Sequence, residues 1–249
     1  VIRLDGWPDS ISWVAVLAVF LFSYYSVWPA EAASDDKAIQ GEERAQVLDR
    51  LEQRQREVTS VRATVLQKKR HPLLREEAIS EGTLLFKRPN HVRWEVNKPE
   101  RTILVMDGHM LTIYRPDRDE AERRDLRQDL MSRAAVEFLT SGMSLDVAQL
   151  EKRFLVDLYR ENDELALRLV PRSRIVAQAI ASITIYQNDK EAIPHQIVVI
   201  GQKGDRTETT LTQVTINPRV PEDAFTLRLG SRVRVTDVGN PAGERGGDR

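Results

Sequence analysis

The sequence predicts a mainly β (α+β) fold: an incomplete antiparallel β-barrel with an N-terminal helix and a helical lid over a hydrophobic cavity. Three observations carry this. A single helical stripe is followed at Val61 by a switch to period-two alternation. The alternation lapses between Arg118 and Arg160, where two helical patterns appear, and strands then resume. A long meander of this kind curls towards a barrel, and helices inserted into its middle are placed to cover the concave face.

In "DDKAIQGEERAQVLDRLEQRQREVTSV", Ala45, Leu48, Leu51, Gln55 and Val58 recur at helical spacing on a charged background, so one stripe packs. From Val61, the residues Val61, Ala63 and Val65 face one way while Arg62, Thr64 and Leu66 face the other. Further strands are predicted at Gly82–Arg88, Val92–Val96, Ile103–Met106 and Met110–Tyr114, punctuated by Pro72, Pro89-Asn90, Pro99 and Asp107-Gly108. The Asp-Gly pair marks a hairpin whose central positions both take positive φ. Helical patterns follow at Leu126–Leu139 and Leu145–Leu150, hinged at Ser141-Gly142. The second set of strands is predicted at Leu165–Val170, Ile180–Tyr186, Gln196–Ile200, Thr207–Ile216 and Phe225–Leu229.

The N-terminus has the layout of a secretory signal: Arg3, the apolar run "ISWVAVLAVFLFSYYSVW", then small residues at Ala30 and Ala32 before a polar turn. Residues 1–32 are therefore expected to be a signal peptide delivering the protein to the periplasm, with an uncleaved anchor as the alternative. Residues 33–237 form the expected domain, and 238–249, rich in Gly, Pro and charge, a disordered tail.

With 37 Lys+Arg against 38 Asp+Glu, the net charge of −1 gives no basic field of the kind that holds nucleic acid. The absence of cysteine excludes disulfides, thiolate zinc sites and a cysteine nucleophile. His71, His91, His109 and His195 lack metal-ligand spacing, and there is no nucleophile elbow, phosphate loop or dinucleotide fingerprint. Neither a catalytic residue nor a metal or cofactor is expected.

What stands out is apolar surface on one face of the sheet: Val65, Leu84, Phe86, Val92, Trp94 and Val96, then Ile103, Val105, Leu111 and Ile113. Taken singly, each reads as core. The helical insertion offers the set a second apolar face through Leu130, Met131, Val136, Phe138, Leu139 and Met143, and two apolar surfaces with a hinge make a closable pocket. In "LLFKRPNHVRWE", Arg88 follows Leu84 and Phe86 on the same face. A guanidinium there must find carbonyl or carboxylate acceptors. One reading makes Arg88 a latch on the C-terminal carbonyls of the lid, near Thr140 to Gly142; the other makes it a rim arginine reaching water or a surface carboxylate.

The succession "SVRATVLQKK", "SEGTLLFKRPNHVRWE", "ILVMDGHMLTIYRP", "LRLVPR" and "INPRVPEDAFTLRL" resembles the LolA family of periplasmic lipoprotein carriers, from roughly Glu43 to Val235. Its most specific parts are Lys87-Arg88-Pro89 followed by Arg93-Trp94-Glu95, and the Asp107-Gly108 hairpin closing on Tyr114-x-Pro116. The resemblance implies an incomplete barrel with a helical lid over a cavity for acyl chains, with the Arg-Pro arginine at the cavity roof and no cofactor. It implies acylated lipoprotein or lipid as cargo, an inner-membrane ABC-type exporter as donor, an outer-membrane acceptor, and action as a monomer. A free lipid or glycolipid carrier, or a lipoprotein-sensing regulator of the envelope, is the alternative. "RPDRDEAERRDLRQD" is more charged than the family leads one to expect.

Overall fold

Strands account for most of the structure, a computed structural model that describes residues 37–74, 76–127, 147–188 and 190–238. In chain order the elements are β1 (Lys37–Ala38), α1 (Gly41–Arg56), β2 (Ser60–Arg70), β3 (Ala78–Lys87), β4 (His91–Lys98), β5 (Thr102–Asp107) and β6 (Met110–Arg115). A 3-10 turn (Pro116–Arg118) leads to β7 (Glu120–Asp125), α2 (Val147–Arg153), β8 (Phe154–Glu161), β9 (Glu164–Pro171) and α3 (Arg174–Ala177). The chain continues through β10 (Ile180–Gln187), β11 (Gln196–Gly201), β12 (Arg206–Ile216) and β13 (Arg234–Val238).

The strands form one sheet in the order β1-β8-β9-β10-β11-β12-β2-β3-β4-β5-β6-β7-β13, antiparallel throughout except for the parallel pair β7–β13. The order does not return on itself, so the sheet curls without closing. Each open edge is managed: two-residue β1 covers part of β8, and β13 covers β7 with an Arg234–Glu120 ion pair at 2.9 Å.

Cross-strand register fixes which residues share a face. Ala63, Leu84, Trp94, Leu104 and Ile113 stand in one row, and Val61, Phe86, Val92, Met106 and Leu111 in the next. On the other half, Leu158, Leu167, Ile185 and Ile197 align, as do Val156, Leu169, Ile183 and Val199. Ile197 pairs with Thr209, and Leu211, two residues on, pairs with Val65, so both halves belong to one concave face.

Helix α1 covers one of those halves. Its stripe of Val47, Leu48 and Leu51 packs with Leu158, Leu165, Leu167, Leu169, Ile183 and Ile185. Glu42 and Glu43 in the first turn and Arg54 and Arg56 in the last complement the helix dipole. Ala45, predicted on the stripe, is exposed and Val47 takes its place.

Several predictions about elements need correction. β7 and β8 are strands within the stretch where alternation lapses. In β7 the residues alternate in direction but nearly all are charged, so hydropathy carries no period there. Phe225–Leu229 is not a strand; it lies in a loop that packs Phe225 with Val220, Ala224 and Leu227 over Ile103 and Val105 on the convex face. The β5–β6 hairpin turns with φ +97° at Gly108 alone, Asp107 staying outside the left-handed region. Leu126 is buried beyond the end of β7 and is not helical; its N–H donates to the His109 carbonyl. The signal segment, Thr140 to Gly142, the lid residues Leu130, Met131, Val136, Phe138, Leu139 and Met143, and residues 239–249 lie outside the described residues.

β3 and β4 approach most closely at Gly82, where a Cβ would stand 2.0 Å from the Glu95 carbonyl oxygen, beside a register shift between Glu81 and Gly82. Gly82→Ala is expected to cost about 1–3 kcal/mol in urea unfolding, because backbone must move to admit the methyl group. Gly230→Ala, where nothing lies within 4 Å, should leave the unfolding midpoint unchanged.

Candidate functional site

The apolar rows of β2 to β6 leave a large buried surface beyond the reach of α1. Val65, Leu84, Phe86, Val92, Trp94, Val96, Leu111 and Ile113 join Val61, Ala63, Leu104 and Met106 in one cluster, every one between 0 and 6% exposed. Eight of the predicted strand residues are thus brought together. Val105 is not: it pairs with Arg93, opposite in direction to Trp94, and packs on the convex face against Phe225, as does Ile103. All five residues from Thr102 to Met106 are buried, so alternation in β5 carries no sign of which face is which.

A cavity of about 740 Å3 opens onto this cluster. Its apolar wall includes Val58, Ile193 and Leu211, all members of the cluster, with Ala192 packed against them. The polar part of its wall includes Arg54, Glu57, Lys190, Glu191, His195, Gln213 and Asn217. None of the eight residues just named lines it directly; the cluster meets the cavity through those three members.

Two polar devices hold the rim, and sequence reasoning found only one of them. Arg88 continues the row of Leu84 and Phe86 past the end of β3. Its N–H extends the ladder to the Thr59 carbonyl at 2.9 Å, and its Nη2 donates to the Gln55 carbonyl oxygen at 2.7 Å. The acceptor is therefore the last turn of α1, where carbonyls lack helical partners. Burial pushes the guanidinium below its ordinary pKa, yet an arginine keeps its proton at neutral pH.

The second device is Asn217, at φ +52° just after β12. Its Oδ1 accepts from the Thr59 N–H at 2.7 Å, the Thr59 hydroxyl at 2.9 Å and the Ser60 N–H at 3.2 Å, while Nδ2 donates to the Glu57 carbonyl at 2.9 Å. One amide thus pins the α1–β2 link to the end of β12. The signal available in sequence was Asn-Pro at 217–218, a turn dipeptide after a strand.

Charge also enters the concave face at its far side. Glu122 and Arg124 pair across the ladder with Ile113 and Leu111, and Arg115 lies two residues beyond Ile113. Glu122 bonds Arg115 at 3.1 Å and Arg124 at 3.4 Å. This is where the charged run around β7 goes: part of it forms a partly buried ion cluster bordering the apolar rows.

A family model described as "Outer membrane lipoprotein carrier protein LolA" matches residues 56–228, more than half of the chain. The chain belongs to this family. Curated relatives named outer-membrane lipoprotein carrier protein include one from Bordetella avium, 25% identical over 168 residues, covering 67% of this chain and 76% of the relative. One from Hahella chejuensis is 27% identical over 158 residues, covering 62% and 70%. Among solved structures, an uncharacterized conserved protein from Thermus thermophilus aligns at TM-score 0.49 and 15% identity, covering 78% of this chain and 98% of that one. A LolA-superfamily protein from Nitrosomonas europaea aligns at TM-score 0.43 and 15% identity, covering 74% and 97%.

The family model's own description is that of a carrier. Among the described residues no group of three or more His, Asp or Glu side chains is placed to bind a metal. Tyr186, its pKa raised by burial and then by its 2.8 Å bond to Glu161, keeps its proton and donates. It alternates with Ile185 and so points away from the concave face. His195 Nε2 lies 3.4 Å from a Glu164 oxygen.

Two substitutions separate the rim devices. Asn217→Ala should cost about 1–2 kcal/mol in denaturant unfolding, since it removes together several hydrogen bonds that tie the α1–β2 link to the end of β12. Arg88→Ala should cost about 1.5–3 kcal/mol by losing a charge-assisted bond, and should raise hydrogen exchange in the last turn of α1 while leaving β8–β10 protected.

Proposed function

We propose that this chain is a periplasmic carrier that takes up acyl chains of lipoproteins or related lipids on its concave face and shuttles them from the inner to the outer membrane. The observation that carries the reading is the apolar concave surface, built of two buried clusters of which α1 packs on one, with a cavity of about 740 Å3 opening onto the other. Membership of the LolA family and the names of its curated relatives support the same reading.

Energetics explain why such a carrier is needed. Each acyl methylene contributes about 0.8 kcal/mol to membrane anchoring, so a cargo with two or three long chains does not leave a bilayer unaided. The carrier must offer comparable apolar area without binding irreversibly. Val65, Leu84, Phe86, Val92, Trp94, Val96, Leu111 and Ile113 would supply that area. Loading then requires work from an inner-membrane ABC-type exporter, and delivery requires an outer-membrane acceptor. Arg88 would act as the latch: its bond to α1 holds the rim closed when empty and is given up when chains enter.

The test is to express the chain in a periplasm, purify it gently and identify by mass spectrometry what accompanies it. Recovery of acylated lipoprotein is the expected result, and recovery of a free lipid alone would redirect the cargo. A preparation that carries nothing apolar and binds no hydrophobic dye would refute the carrier reading.

A further inference from the structure

On the sheet-facing stripe of α1, Val47, Leu48 and Leu51 are apolar, and the next member is Gln55. Gln55 is only 1% exposed. Its backbone carbonyl is doubly satisfied, accepting from Arg88 Nη2 at 2.7 Å and from the Val58 N–H at 3.0 Å. Its side chain has nothing: neither Oε1 nor Nε2 has a hydrogen-bond partner, and the buried Nε of Arg88 has none either. The position is also distinctive. Leu51 belongs to the half of the concave face that α1 covers, and Val58 to the apolar cluster that opens onto the cavity, so Gln55 stands at the junction.

Leucine would fill this place without stranding an amide, and native interiors rarely leave both ends of a buried carboxamide unpaired. The unmet groups define a complement: a donor for Oε1 and acceptors for Nε2 and for Arg88 Nε. Hydrocarbon supplies neither, and an ester linkage supplies acceptors only. A secondary amide supplies a carbonyl and an N–H from one small group, attached to an acyl chain that the neighbouring rows can take.

We propose that Gln55, with Arg88 Nε, is a polar subsite that recognises the amide joining an acyl chain to its head. This rests on the carrier reading and deepens it, since it favours amide-linked over purely ester-linked lipids. A secondary amide is trans, so its two polar groups point to opposite sides: its carbonyl accepts from the Arg88 guanidinium and its N–H donates to Oε1 of Gln55, and the site gains those bonds only when such cargo is present.

The test uses Gln55→Leu and Gln55→Met in the full chain, with four probes: an N-acylated triacyl lipopeptide, a ceramide, a diester phosphatidylglycerol and an apolar fluorescent dye. Affinity for the lipopeptide should fall about fivefold or more in both variants, while phosphatidylglycerol and dye binding stay within twofold. An equal loss for ceramide would show that the amide is read whatever its source. A loss confined to the lipopeptide would show that it is read next to peptide. The unfolding midpoint should stay or rise, because an unpaired polar group has been removed. A lower midpoint, or lipopeptide binding unchanged while wild-type protein binds lipid and dye, would overturn the subsite and leave the carrier reading intact. Wild-type protein that binds none of the four probes would instead defeat the carrier reading.

Discussion

A sheet that carries two large apolar clusters on its concave face must keep them from water, and the rest of this structure follows from how that is done. The rows running from Leu158 through Ile197 to Leu211, and from Val65 to Ile113, are too wide for a single 16-residue helix to cover. Helix α1 takes the half built by β8 to β10 and stops at the midline. There its last turn is tied to β3 by Arg88 and its exit strand to β12 by Asn217. At that line charge-assisted and amide hydrogen bonds hold the end of the helix, beside the interlocked hydrocarbon under its apolar stripe.

Two kinds of contact meet along that line, and they differ in what it costs to part them. Interlocking side chains would make removal of any covering element cost the whole buried area, at about 25 cal/mol per Å2. A rim held by a few polar bonds can open for far less, since each net contribution is about 0.5–1.5 kcal/mol, or about 1.5–3 where a charge takes part. The ion cluster of Arg115, Glu122 and Arg124 limits the apolar surface on the far side.

Much of this was legible in the sequence, and what was not has physical reasons. Period-two alternation exposed β2, β3, β4 and β6 because each has one buried and one wetter face, as in the pattern of Val92, Trp94 and Val96. It misdirected at Val105 because β5 is buried on both faces, and only pairing with Arg93 and Trp94 decides its direction. It missed β7 because a strand of Glu120, Glu122, Arg123 and Arg124 has no hydrophobic period. Arg88 was recognisable as a charge out of place, but neither reading, lid carbonyls near Thr140 to Gly142 or a rim arginine reaching water or a carboxylate, named the acceptor seen, the Gln55 carbonyl. The expected helix was the lid, whereas the bond seen goes to α1. Gln55 was on the predicted stripe, but its unpaired amide could appear only once the surroundings were built.

The most direct measurement uses an accident of composition. Of the four tryptophans, Trp7, Trp13 and Trp28 precede residue 33, so a protein of residues 33–249 carries Trp94 alone, in the middle of the concave face. Titrating that protein with a lipopeptide brominated along its acyl chains tests contact, since bromine quenches only at close range. Saturable quenching of Trp94, reversed in competition by an unbrominated lipopeptide, is the expected result. Saturable binding of the brominated lipopeptide that leaves Trp94 emission untouched would place the cargo elsewhere and contradict it.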